Sequence, residues 1–81
     1  MRARVLDTSD LEPPQPMQQV LVALGELAAD EYLVMQHRRE PLPLYPLLAR
    51  LGFCHRVRRG RTTTFEVVIW RATDPEPPCS P

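Results

Sequence analysis

The chain reads as a single α+β domain, a two-layer βαβαββ sandwich with a four-stranded mixed sheet and two helices on one face. Three observations carry that expectation. The run Tyr32-Leu33-Val34-Met35 is apolar on both strand faces and suits a central strand. Two leucine-rich segments have helical spacing and are each opened by prolines, and the alternation Phe65, Val67, Ile69 follows a turn at Gly60-Arg61.

Taken in order, Val5-Leu6 ends at the turn cluster Asp7-Thr8-Ser9-Asp10 and reads as a short first strand. Met17, Val20, Leu21, Leu24 and Leu27 then fall on one helical face, with Pro14 or Pro16 in the first turn, where a missing N–H costs nothing. The central strand leads out into His37-Arg38-Arg39-Glu40-Pro41. A shorter helix is expected with Leu44, Leu47, Leu48 and Leu51 inward, provided Pro43 and Pro46 lie at its start. Gly52 suits the left-handed residue after that helix, with Phe53 closing the cap. Phe53 to Arg59 and Thr62 to Trp70 form the closing hairpin, whose Val68 and Trp70, with Val34 or Met35, face away from the helices. The domain is expected to span 1–71, with 72–81 a disordered tail holding Pro75, Pro77, Pro78 and Pro81.

Of 81 residues, 43% are hydrophobic, which suits a folded domain rather than a disordered chain. Once the proline-rich end is set aside, roughly 70 residues remain to fold, and a core that small leaves little room for a large enclosed catalytic pocket. No apolar run is long enough to span a bilayer, and Met1 to Asp7 has a basic start without the apolar stretch of a signal peptide, so a cytoplasmic protein is expected. Cys54 and Cys79 have no partner at metal-ligand spacing and read as free thiols. The net charge is zero, yet residues 37–71 carry eight arginines against Glu40 and Glu66 alone, making this the anion-facing half.

Leu6-Asp7-x-x-x-Leu11-x-x-Pro14-x-Pro16 resembles the opening of the TusA/SirA-like sulfur carriers, Leu-Asp-x-x-Gly-Leu-x-Cys-Pro-x-Pro, with no gap. The paired signatures Leu11-Glu12-Pro13-Pro14-x-Pro16 and Arg39-Glu40-Pro41-x-Pro43-Leu44-Tyr45 look like the bacterial domain-of-unknown-function family 2249, a TusA-like group, over about residues 4–70. The resemblance implies the TusA-like fold but no known activity. In the sulfur carriers the cysteine before the helix holds a persulfide. Here that position is Pro13 and the family glycine is Asp10, so sulfur-carrier chemistry at this position is excluded.

The expected site is the edge where the parallel strands end, since ligands collect at the loops following such strands. It comprises Glu12, Pro14 and Pro16 from one loop with His37, Arg39, Glu40, Pro41 and Tyr45 from the other. Helix N–H groups and Arg39 point to an anionic group, on a partner protein or a small ligand. Glu12 is alternatively a helix cap, and Arg39 a brace paired with Glu40 or Glu12. Paired carboxylates, a phosphate-binding glycine loop and a nucleophile with its base are all missing, so the expectation is a non-enzymatic binding or adaptor module without cofactor or metal. Met35 and His37 share a strand face but lack further ligands, while Cys54 and His55 point to opposite faces and form no catalytic pair. The alternatives are RNA binding through Arg50, His55, Arg56, Arg58, Arg59 and Arg61, and a sulfur or redox relay through Cys54. The outer sheet face is covered either by the tail or by a weak dimer contact.

Overall fold

In a computed structural model that describes residues 2–60 and 65–77, strand β1 (Arg2–Asp7) runs parallel to β2 (Glu31–His37), pairing Arg2 with Glu31 through Asp7 with Gln36. A parallel pair needs a crossover, which helix α1 (Gln15–Glu26) supplies. Helix α2 (Leu44–Arg50) then leads into the antiparallel hairpin of β3 (Phe53–Arg58) and β4 (Phe65–Arg71). Strand β4 also pairs antiparallel with β2, so the sheet order is β1-β2-β4-β3 and the sheet is mixed.

Both helices lie on one face. Val20, Ala23, Leu24 and Leu27 from the α1 segment and Leu44 and Leu48 from α2 are buried against Leu33 and Met35 of β2 and Val67 and Ile69 of β4. Alternation along the strands puts Val34, Val68 and Trp70 on the other face, in a second cluster with Tyr32 and Cys54 packed against it. Val34 rather than Met35 thus joins the outer cluster.

Prolines open both helices, as their spacing predicts. Pro14 is the residue before the first turn of α1 and Pro16 lies within that turn; Pro43 precedes α2 and Pro46 sits in its first turn. Gly52 follows α2 with φ +87° and donates its N–H to Ala49 O (3.2 Å), the left-handed stop expected there. Leu51 differs from expectation: it ends the helix and points outward, 51% exposed, because only the first and fifth helical positions, Leu44 and Leu48, face the sheet. Leu21 and Leu47 are half-buried at the helix flanks. Two carbonyls just past α1 accept from a distant side chain: Arg71 donates to Leu27 O (2.8 Å) and Ala28 O (3.1 Å).

Residues 72–77, the start of the expected tail, lie against the sheet. Ala72 N donates to Gly52 O (2.9 Å), Arg56 pairs with Glu76 and donates to Pro77 O (3.3 Å), and Pro77 is fully buried. Arg56 also stands 5.9 Å above the Trp70 ring. Residues 78–81, including Cys79, lie outside the described residues, as do residues 61–64, which include Arg61 and the expected start of the last strand at Thr62. No helix among the described residues is long and apolar enough to cross a membrane.

Candidate ligand-binding site

The site begins with how β1 ends. Asp7 accepts from Ser9 N (2.9 Å) and Ser9 Oγ (2.6 Å), a local turn that holds its carboxyl below the ordinary range, chiefly through the Ser9 hydroxyl. This turn carries Thr8 inward, fully buried, where its N–H and Oγ1 both donate to Gln36 O (2.8 and 2.9 Å). The ends of the two parallel strands are thereby tied together.

Beside this knot lies His37, on the same face of β2 as Leu33 and Met35 and 7% exposed. Its Nδ1 is 3.0 Å from Thr8 O and 3.1 Å from Thr8 Oγ1. A carbonyl can only accept, and the Thr8 hydroxyl proton is already given to Gln36 O, so Nδ1 carries the hydrogen and donates. The other ring nitrogen, Nε2, has no hydrogen-bond partner among the described residues.

Three charged residues follow in the loop, and each has a different fate. Arg38 turns back to donate to Ser9 O (2.9 Å) and to Glu12 Oε1 (2.9 Å). Glu40 Oε2 accepts from the Tyr45 hydroxyl (3.1 Å). Burial, with that carboxylate second, pushes the Tyr45 phenol above its ordinary value and keeps it a donor. Tyr45 is steadied in turn by stacking on His55, ring centroids 4.1 Å apart. Arg39, between them, makes no hydrogen bond or ion pair with any described residue.

These two loops enclose a cavity of about 350 Å³. Pro13, Pro14, Pro16 and Met17 form one wall, Met35 and His37 the sheet side, and Arg39, Glu40, Pro41, Pro43 and Leu44 the remainder. Proline shapes the chemistry as well as the outline. Pro16 has no N–H, and Gln15 N is taken by Glu12 O (2.9 Å). The start of α1 therefore offers few free donors, so of the two groups expected to meet an anion, its N–H groups and Arg39, the structure leaves chiefly Arg39. The walls are apolar, and the polar groups are Arg39, Glu40 and His37.

Of the eight residues expected to form the site, six line this cavity: Pro14, Pro16, His37, Arg39, Glu40 and Pro41. Glu12 and Tyr45 do not; they hold its edges through Arg38 and Glu40. Glu12 makes no side-chain cap to α1, and the brace expected of Arg39 is made by Arg38. Thr8 was missed, because within Asp7-Thr8-Ser9-Asp10 it looks like one more turn residue. In the hairpin, Arg58 is paired with Glu66 (2.8 Å) and Arg56 with Glu76, while Cys54 is half-buried on the opposite sheet face from the cavity. Among the described residues, no group of His, Cys, Asp and Glu is placed to hold a metal ion.

The span containing both loops, residues 5–71, matches the family model of an uncharacterised conserved protein, DUF2249. The chain belongs to this DUF2249 family. No curated protein and no solved structure matches it. The DUF2249 match covers the end of β1 and all the elements from α1 to β4, so the cavity is built wholly from family sequence.

Proposed function

We propose that the chain is a cytoplasmic, non-enzymatic binding module that takes a small apolar monoanion in the cavity between the 12–16 and 37–45 loops. The observation that carries this reading is Arg39, an unpaired guanidinium on an apolar cavity whose neighbours Arg38 and Glu40 are already committed elsewhere. A volume near 350 Å³ is at the small end of ordinary ligand sites. At the roughly 30 Å³ per non-hydrogen atom of liquid water it holds about a dozen such atoms. Arg39 is the one cation of the lining and Glu40 adds a negative charge beside it, so Arg39 can meet at most one anionic group and a polyphosphate is disfavoured. The resemblance to the TusA/SirA-like carriers supports the same edge, with Pro13 in place of the sulfur-bearing cysteine giving it a binding role instead of a transfer role.

The test is an amide-shift titration with phenylacetate and heptanoate as probes. Saturable shifts at Met17, Met35, His37 and Leu44, abolished by Arg39→Met in a folded protein, are the expected result. Shifts confined to the β3–β4 hairpin, or none with either acid, would overturn the proposal.

A further inference from the structure

We infer that the ligand carries a hydrogen-bond donor, a hydroxyl or N–H, that is accepted by His37 Nε2, in addition to the anionic group met by Arg39. This inference rests on the binding reading above and specifies its ligand. His37 is more than nine-tenths buried, yet its ring lines the cavity. Its tautomer is held by the backbone: Nδ1–H is spent on Thr8 O and Oγ1, and Thr8 is itself fixed by two hydrogen bonds to Gln36 O. Such a ring presents a lone pair at Nε2 and cannot change tautomer without breaking the Thr8 contact.

Most of the walls around it are proline, methionine and leucine, and the two other polar residues of the lining, Arg39 and Glu40, make no hydrogen bond to that lone pair. In the open cavity water can meet it. A ligand that fills the space with carbon strands it, and a stranded buried acceptor is a penalty that a donor-bearing ligand avoids. Glu40 is an acceptor and cannot donate to Nε2; its Oε2 is engaged by the Tyr45 hydroxyl, and the response of the His37 variant distinguishes acceptance at Nε2 from acceptance at the carboxylate. The site thus asks for one anionic group and one donor on a compact apolar body, the chemistry of a hydroxylated or N–H-bearing monocarboxylic acid.

Matched pairs of flexible acids test this without assuming the spacing between the two polar groups. Each ω-hydroxyalkanoate of about four to eight carbons, a range within the cavity's capacity of about a dozen atoms, is compared with the methyl-terminated acid of equal atom count, such as 6-hydroxyhexanoate against heptanoate. The hydroxyl member of the best-fitting pair is expected to bind roughly 2- to 10-fold more tightly, the worth of one net hydrogen bond. His37→Phe is expected to remove that preference, read as the ratio of affinities within each matched pair and not as the affinity of either acid alone. Should that variant not fold, the side-chain ¹⁵N shifts of His37 in the unaltered protein serve instead. The Nδ1–H tautomer in the free protein, with the Nε2 resonance moving for the hydroxy acid and not for its methyl counterpart, supports the inference. Equal or tighter binding of every methyl acid, or an Nε2–H tautomer, overturns it while leaving the binding reading standing. If no acid binds at all, both fall together.

Discussion

Arg38 Nη2 donates to Glu12 Oε1 at 2.9 Å, and this contact ties the loop after β2 to the loop before α1. Successive residues leaving a strand point in different directions. With Arg38 turned toward Ser9 and Glu12, the next side chain, Arg39, falls on the cavity. Two neighbouring arginines therefore divide the work, one bracing the loops and one left for a ligand.

This division predicts opposite profiles for two alanine variants. Both partners of the Arg38–Glu12 pair are largely exposed, so Arg38→Ala is expected to cost no more than about 1 kcal/mol of stability. It should also weaken acid binding through loss of loop order. Arg39→Ala is expected to leave stability within about 0.5 kcal/mol and to remove binding. Urea denaturation beside the amide-shift titration separates the two. A large stability loss from Arg39→Ala alone would refute the assignment.

Glu66 sets a pH dependence. Its carboxylate accepts from Gln36 Nε2 (2.9 Å) and from Arg58 Nε (2.8 Å), and the Gln36 bond foremost holds its carboxyl below the ordinary range against the opposing effect of burial. A depressed folded value stabilises the protein fully above the unfolded-chain value of about 4.3. That contribution is lost as the pH falls below it through the folded value. Denaturation of wild type and Glu66→Gln should show a stability gap near neutral pH that closes as the pH is lowered below about 4. A gap constant across that range would rule out the Glu66 charge as its source.

The periodicities that position the core were legible in the residues themselves. Phe65, Val67 and Ile69 alternate with Val68 and Trp70 because side chains on a strand switch faces at every step, and the structure puts Val67 and Ile69 in the helix-facing cluster and Val68 and Trp70 in the other. The two loops of the site were legible for a topological reason: both follow strands that must run parallel. What pattern alone does not decide is which of two adjacent arginines turns back, since that depends on how the end of β2 is set against the end of β1, where Asp7 pairs with Gln36. Thr8 escaped notice because its role lies in a partner 29 residues away. Pro77 escaped for a similar reason. A proline-rich end looks unable to bury itself, but Arg56 reaches across to its carbonyl and to Glu76 and holds it on the sheet.

That strap yields a third prediction. Truncation after Arg71 removes the segment that Arg56 holds beside Trp70, and is expected to uncover part of the cluster of Val34, Val68 and Trp70, all buried in the full chain. Exposure equivalent to one apolar side chain is expected to cost about 1.5–3 kcal/mol. The emission of Trp70, the sole tryptophan, should shift to the red, and the shortened chain should self-associate. Fluorescence and solution mass read these outcomes. A truncated protein with unchanged emission and the same mass as the full chain would show that residues 72–77 do not shield this face.

The same substitution at two glycines should act in opposite directions. Gly25 lies near the end of α1, exposed, and a Cβ there would meet nothing within 4 Å. Gly25→Ala restricts the unfolded chain and suits the helix, so it is expected to stabilise by about 0.5–1 kcal/mol. A Cβ at Gly52 would also meet nothing within 4 Å, but its φ of +87° is one that an L side chain opposes. The cost of Gly52→Ala is backbone strain alone, about 1–2 kcal/mol. For a domain of this size each kcal/mol moves the midpoint of thermal unfolding by about 4–8 °C, so the two variants should bracket the wild type. Since neither position is crowded, a Gly52→Ala protein as stable as wild type would mean that the chain leaves α2 by a different backbone path.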